Sequence, residues 1–176
     1  MPESIVIAAA RRTPIGGFQG IFSSVSATQL GTVAAAAALA DAGLSPDAID
    51  EVIFGCVLPA GLGQAPARQA AVGAGIALSV PATTVNKMCG SGMKAVMLAG
   101  DQIRAGSARV ILAGGLESMT NAPYLMLKAR AGDAAYRDYY WFFDTDEMPK
   151  QYSQTLVEIF PETAPGSYTL TVTFAV

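Results

Sequence analysis

Short apolar runs punctuate the first part of the chain, and glycine, proline or polar residues bound each of them. Runs of this length without polar alternation are typical of strands that are buried on both faces of a sheet. Alanine-rich stretches separate the runs, and these predict helices. The alternation of the two predicts an α/β fold in which helices cover an open sheet. The predicted strands are residues 4–10, 52–58 and 109–113.

The ends of the first alanine-rich stretch carry clear local signals. Ser26 and Gln29 have the spacing of a capping box, which predicts a helix that begins after Ser26 and runs to residue 42. Gly43 follows as a residue that readily adopts the left-handed conformation at a helix end. Two further helices are predicted, one near residues 66–75 and one that ends at Arg104.

Composition changes abruptly near residue 132. Alanine almost disappears beyond residue 135, whereas ten of the fourteen aromatic residues lie in the last 41 positions. This change predicts a domain at residues 1–132 and a tail of unknown origin at residues 133–176, although one fold with an aromatic cap would give the same pattern. A short helix is predicted at residues 151–159 and a strand at residues 168–176, where apolar residues alternate with threonine and alanine. The aromatic and acidic run at residues 136–147 is either packing or a binding surface.

Charge and residue usage exclude several classes of protein. A net charge of −3 offers no basic surface for nucleic acid, and no apolar run approaches the roughly 18 residues that span a membrane. The early apolar run is too short for a signal peptide, so a cytoplasmic location is expected. Two cysteines do not make a disulfide scaffold, and Cys56, within a predicted strand, is expected in the core. Because the chain has no histidine, it lacks imidazole for metal binding or acid–base chemistry, and no metal site is predicted.

Residues 86–92, NKMCGSG, form the segment with the clearest chemical potential. Cys89 lies where a strand is predicted to turn sharply into a helix, and the small Gly90 and Gly92 would permit that turn. The positive end of the helix favours a thiolate, and the backbone N–H of Cys89 could donate to an oxyanion, which together suit acyl transfer. Two alternatives stay open: Cys89 as a small buried core residue, or Ser91 as the nucleophile.

Four segments of the chain carry a family resemblance: RTPIG at 12–16, GQAPARQA at 63–70, NKMCGSG at 86–92, and GGLESM at 114–119 with APY at 122–124. In this order they resemble the N-terminal half of the thiolase family, over about residues 5–130. The resemblance implies condensation or cleavage of β-ketoacyl thioesters through an acylated cysteine. Cys89 stands at the position of that nucleophile, Asn86 matches the turn residue before it, and Gly90 and Gly92 match the glycines of the turn.

The resemblance also implies a fold and partners. The fold would be a layered αβα half of a five-layer αβαβα arrangement, and the substrate a coenzyme A thioester with no covalently bound cofactor. Thiolases form dimers or tetramers, so a homo-oligomer or a separate C-terminal half is expected as partner. The family's second half supplies a histidine base and a second catalytic cysteine, and it covers an apolar helix layer that would otherwise be exposed.

Two hypotheses follow from the missing groups. In the first, the chain is a thiolase-type acyltransferase in truncated or rearranged form, weak or inactive alone or active as one half of a split enzyme. In the second, it is a non-catalytic, thiolase-derived binding or assembly module.

Overall fold

The computed structural model describes residues 5–125 and the backbone of two later strands. The chain divides into two units between Pro123 and Tyr124, and the composition-based boundary after residue 132 stays a prediction. In the described part of the first unit, three α-helices alternate with three strands. The strands predicted at residues 52–58 and 109–113 are present with shifted ends, and a third strand precedes the turn at Cys89. These elements are α1 (Ala27–Ala42), β1 (Glu51–Gly55), α2 (Pro66–Gly73), β2 (Ala82–Val85), α3 (Ser91–Arg104) and β3 (Ile111–Gly115).

The three strands of the first unit form a parallel sheet in the order β2-β1-β3. Successive side chains of β1 point to opposite faces of this sheet. Val52 and Phe54 pack with buried residues of α1 and α2, whereas Ile53 packs with Ala95 and Ala99 of α3. The layered αβα arrangement expected from the sequence is therefore confirmed, with the core on both sides of β1.

Helix α1 begins and ends at the predicted residues. The Ser26 hydroxyl accepts the Gln29 backbone N–H at 3.2 Å, and the Gln29 side chain accepts the Ser26 N–H at 2.9 Å. Gly43 has φ +63° and ends the helix in the left-handed conformation. The capping box and the glycine stop, both local signals, are confirmed.

The predicted strand at residues 4–10 is wrong over its described part. Residues 5–10 form no strand, and no backbone hydrogen bond between them and another described residue is found. They line an apolar groove of about 830 Å³ together with parts of α1, α3 and β3. An apolar, β-branched run favours a buried strand. A strand also needs a neighbouring strand to pair with, and this segment has none within residues 5–125.

The second unit contains an antiparallel pair of strands, β4 (Ser153–Ile159) and β5 (Tyr168–Phe174). They pair over their full lengths, from Ser153 opposite Phe174 to Ile159 opposite Tyr168. The strand predicted from residue 168 is confirmed, but the helix predicted at residues 151–159 is wrong. A nearby pairing partner and the β-branched residues of this stretch outweigh a weak helical pattern. The aromatic run at residues 136–147 lies outside the described residues.

Apolar side chains remain exposed on α3. Met93, Val96 and Met97 are between 48% and 73% exposed. In the described part of the chain, no helix is both long enough and apolar enough to cross a membrane.

Candidate active site

Cys89 lies in the turn that joins β2 to α3. β2 ends at Val85, and α3 begins at Ser91 with Gly90 as its N-cap, so the predicted strand-to-helix turn is present. The Cys89 side chain is exposed, and the alternative of a buried core cysteine is therefore wrong. Cys56, in contrast, is 1% exposed and packs in the core as predicted. We call residues 86–90 the Cys89 turn.

The tight backbone of the Cys89 turn is carried by Met88 rather than by a glycine. Met88 has φ +48°, a left-handed conformation that costs a non-glycine residue about 1 kcal/mol or more. Gly90 has φ −96°, which any residue adopts. A Cβ atom added at Gly90 or Gly92 would meet its nearest neighbours at 3.5 Å or beyond. The turn-supporting role of these two glycines stays a prediction, because neither their φ angles nor their surroundings require it.

Side chains at both ends of the Cys89 turn hold Met88 in place. The Asn86 side-chain oxygen accepts the Met88 N–H at 3.0 Å, and its amide nitrogen donates to the Val57 carbonyl at 3.1 Å. The Ser91 hydroxyl accepts the Lys87 N–H at 2.8 Å and donates to the Met88 carbonyl at 2.6 Å. Ser91 is 4% exposed, so its hydroxyl supports the turn and does not face a substrate. Asn86 is the first residue of the Cys89 turn, and the role that the family resemblance implies for it stays a prediction.

Two glycines that the sequence reasoning passed over allow α3 to approach the sheet. A Cβ atom on Gly55, at the end of β1, would lie 2.4 Å from the Ser91 carbonyl carbon. A Cβ atom on Gly115, at the end of β3, would lie 3.2 Å from the Gly92 Cα. The first turn of α3 thus rests directly on backbone. The signal was available, because a glycine inside an apolar strand often marks such a close approach.

Glu117 is another residue whose role the sequence did not reveal. Its carboxylate accepts the N–H groups of Val57 at 2.7 Å and Leu58 at 3.2 Å. The Cys56 thiol donates to the same carboxylate at 3.8 Å. Burial, followed by the negative charge of Glu117, raises the pKa of Cys56 from 9.0 to about 11, so this thiol stays protonated at neutral pH. Residues 56–58, hereafter the 56–58 loop, are therefore held by Glu117 on one side and by Asn86 on the other.

Comparisons with known proteins identify the family of this chain. The family model described as "Thiolase, N-terminal domain" matches residues 5–157, which extends past the predicted boundary at residue 132. Acetyl-CoA acetyltransferase B, mitochondrial, of Xenopus laevis is 57% identical over 124 residues, which cover 70% of this chain and 30% of that protein. Acetyl-CoA acetyltransferase 2 of Arabidopsis thaliana is 56% identical over 131 residues, 74% of this chain and 32% of that protein.

The acetyl-CoA acetyltransferase of Saccharomyces cerevisiae is 53% identical over 135 residues, 75% of this chain and 34% of that protein. The chain therefore spans about a third of the length of the curated relatives that it matches. Because the family model covers most of the 176 residues, the chain belongs to the thiolase family through the N-terminal domain.

Proposed function

We propose that this chain carries the nucleophile of a thiolase-type acyl-CoA C-acyltransferase, with Cys89 as the residue that accepts the acyl group. The observation that carries the proposal is the exposed Cys89 on a hydrogen-bonded turn immediately before α3. An exposed sulfur is open to attack a substrate. The relatives named as acetyl-CoA acetyltransferases support a coenzyme A thioester as substrate.

The proposed half-reaction is the transfer of an acyl group between two sulfur atoms. The Cys89 thiolate attacks the thioester carbonyl carbon, and the carbonyl oxygen becomes a transient oxyanion. The carbonyl then re-forms as the bond between carbon and the coenzyme A sulfur breaks. The products are an acyl-Cys89 thioester and coenzyme A, which leaves as the thiolate and takes a proton from solvent. The backbone N–H of Cys89 is the proposed oxyanion donor.

Cys89 must give its proton to a general base. This chain contains no histidine that could act as that base. Loss of a positioned general base lowers a rate by roughly 10²- to 10⁴-fold, so we expect slow acylation and little or no turnover by this chain alone. A separate C-terminal half of a thiolase, supplied in trans, would provide the base and restore turnover. A homo-oligomer and a cytoplasmic location remain parts of the proposal.

The test is intact mass after incubation with acetyl-CoA. We expect one acetyl increment on the parent chain and on Cys56→Ala, and none on Cys89→Ala. Cys56→Ala is the matched control because it removes the buried thiol and keeps the exposed one. No increment on a parent chain shown by circular dichroism to be folded would contradict the proposal.

That negative result would favour the second candidate, a non-catalytic binding or assembly module. The exposed Met93, Val96 and Met97 on α3 support this candidate, since they offer an apolar contact surface. Turnover that disappears in Cys89→Ala would exclude it.

A further inference from the structure

We propose that Glu117 is a positioning residue for Cys89: through the 56–58 loop and Asn86, its carboxylate fixes the turn that presents the nucleophile. The proposal rests on the proposed function for its catalytic meaning. Its structural part, the control of Cys89 geometry by Glu117, is tested separately below.

The first step is the hold that Glu117 has on the 56–58 loop. One carboxylate oxygen accepts the Val57 N–H at 2.7 Å, and the other accepts the Leu58 N–H at 3.2 Å and the Cys56 thiol at 3.8 Å. These groups follow directly after β1, where the strand's own ladder has ended. Hydrogen bonds to a charged acceptor are stronger than those between neutral groups, so Glu117 is the main restraint that the described residues provide for these two amides.

The second step connects the loop to the nucleophile. The Val57 carbonyl, in the same residue whose N–H binds Glu117, accepts the Asn86 side-chain N–H at 3.1 Å. The Asn86 oxygen in turn accepts the Met88 N–H at 3.0 Å. Met88 has φ +48° and is joined directly to Cys89. A shift of Val57 therefore moves Asn86, and loss of the Asn86 bond removes one restraint on a backbone conformation that is unfavourable by itself.

The third step is the anchoring of Glu117 itself. The N–H of Leu116, the preceding residue, donates to the Gly55 carbonyl at 2.9 Å, and Leu116 is buried. The carboxylate is thus attached to a fixed part of the sheet edge. Because Glu117 is fixed at the end of β3, its carboxylate fixes the 56–58 loop relative to β3. The loop in turn fixes the Cys89 turn through Asn86.

Asp50 provides a matched control within the same sheet. Its carboxylate also accepts two backbone N–H groups, from Arg109 at 2.7 Å and Val110 at 3.0 Å. These residues lie at the amino end of β1 and β3, whereas Cys89 follows the carboxyl end of β2. Asp50→Asn and Glu117→Gln each replace a carboxylate that accepts two backbone N–H groups with a neutral amide. Only Glu117→Gln changes the chain of hydrogen bonds that leads to the Cys89 turn.

The main experiment measures alkylation of Cys89 by iodoacetamide in the folded chain at neutral pH, with peptide mass spectrometry to separate Cys89 from Cys56. We expect Glu117→Gln to lower the Cys89 rate by about three- to tenfold, because orientation of a reacting group contributes at this scale or above. Asp50→Asn should stay within about twofold of the parent. An unchanged or higher rate in Glu117→Gln, or an equal fall in Asp50→Asn, would overturn the proposal.

A second variant, at Asn86, tests the same chain of hydrogen bonds at the end that lies next to Met88. It replaces Glu117→Gln as the test if that variant does not fold. Asn86→Asp keeps the oxygen that accepts the Met88 N–H but removes the donor to Val57. It should slow Cys89 alkylation by a similar factor. In the double variant the two effects should not multiply, because both changes cut the same connection. Multiplied effects would assign Glu117 a general structural role and overturn the proposal.

Acetyl transfer from acetyl-CoA then separates this proposal from the proposed function. In Glu117→Gln, the saturating rate of Cys89 acetylation should fall while the half-saturating concentration of acetyl-CoA stays the same. If the parent chain is not acetylated at all, the proposed function fails, and the alkylation results still decide the role of Glu117. If acetylation in Glu117→Gln equals that of the parent, the positioning role fails and the proposed function stands.

Discussion

The two ends of the three-stranded sheet use the same device with different consequences. At the amino end, Asp50 precedes β1 and binds backbone N–H groups of Arg109 and Val110. At the carboxyl end, Glu117 follows β3 and binds backbone N–H groups of Val57 and Leu58. In both cases one carboxylate ties β1 to β3 just beyond the sheet ladder.

The two ends differ in the backbone segments that lie next to each carboxylate. Asp50 binds Arg109 and Val110 at the amino end, where the described residues show no strained turn. The loop that Glu117 holds accepts a hydrogen bond from Asn86, and Asn86 in turn accepts the N–H of the left-handed Met88, which is next to an exposed cysteine. Loops at the carboxyl ends of parallel strands are the usual location of ligand sites in α/β sheets. The comparison teaches that a carboxylate ties β1 to β3 at either end of the sheet, and that only the carboxylate at the carboxyl end is connected to an exposed cysteine.

The largest effect is expected from filling the contact between the carboxyl end of β1 and α3. Gly55→Ala would place a Cβ atom 2.4 Å from the Ser91 carbonyl carbon, so α3 must move away from the sheet. We expect a loss of about 3 kcal/mol or more in the free energy of unfolding, measured by urea denaturation. Gly114→Ala is the control, because its Cβ atom would meet Phe54 at an ordinary 3.6 Å. Equal stability losses in the two variants would show that this contact is not special.

A smaller effect is expected in alkali, and it should come from the Glu117 end. Because the pKa of Cys56 is raised to about 11 in the folded chain, the unfolded chain loses this proton first as the pH rises. The stabilising contribution is therefore complete below pH 9 and is lost between about pH 9 and 11, by roughly 2–3 kcal/mol.

The measurement for Cys56 is the free energy of unfolding of two variants across this range of pH. Cys89→Ala should keep the alkaline loss, since its buried thiol is intact. Cys56→Ala should show a smaller loss than Cys89→Ala. Identical pH profiles for the two variants would contradict the assignment to Cys56.

The smallest effect is expected in acid, at the Asp50 end. The N–H groups of Arg109 and Val110 lower the pKa of Asp50 below its usual 3.8. Asp50 therefore contributes stability above that value, and the contribution is lost as the pH falls through the lower pKa of the folded chain. Asp50→Asn should be less stable than the parent at neutral pH, and the difference should shrink in acid. A difference that is constant with pH, measured by thermal unfolding, would assign the loss to shape rather than charge.

Much of the first unit could be predicted from local sequence. The capping box at Ser26, the stop at Gly43 and the strand-to-helix turn at Cys89 depend on residues that are close in the chain, and all three are present. Prediction failed at residues 5–10 and 153–159, where pairing with another segment, or its absence among the described residues, decides the conformation. The roles of Gly55 and Glu117 could not be predicted for the same reason, since their contacts are with residues distant in sequence.

The sequence by itself determined the alternation of helices and strands and the position of Cys89 before a helix, because periodicity, capping and motif spacing are properties of neighbouring residues, and its motifs identified the family. Only the tertiary structure decided that Met88 and not a glycine takes the left-handed conformation, that Cys56 bonds to Glu117, and that Glu117 reaches the Cys89 turn through Val57 and Asn86. The physical reason is that the packing of strands and helices decides which groups lie next to a buried or charged side chain. Residues about 60 positions apart become neighbours only when β1 and β3 lie side by side.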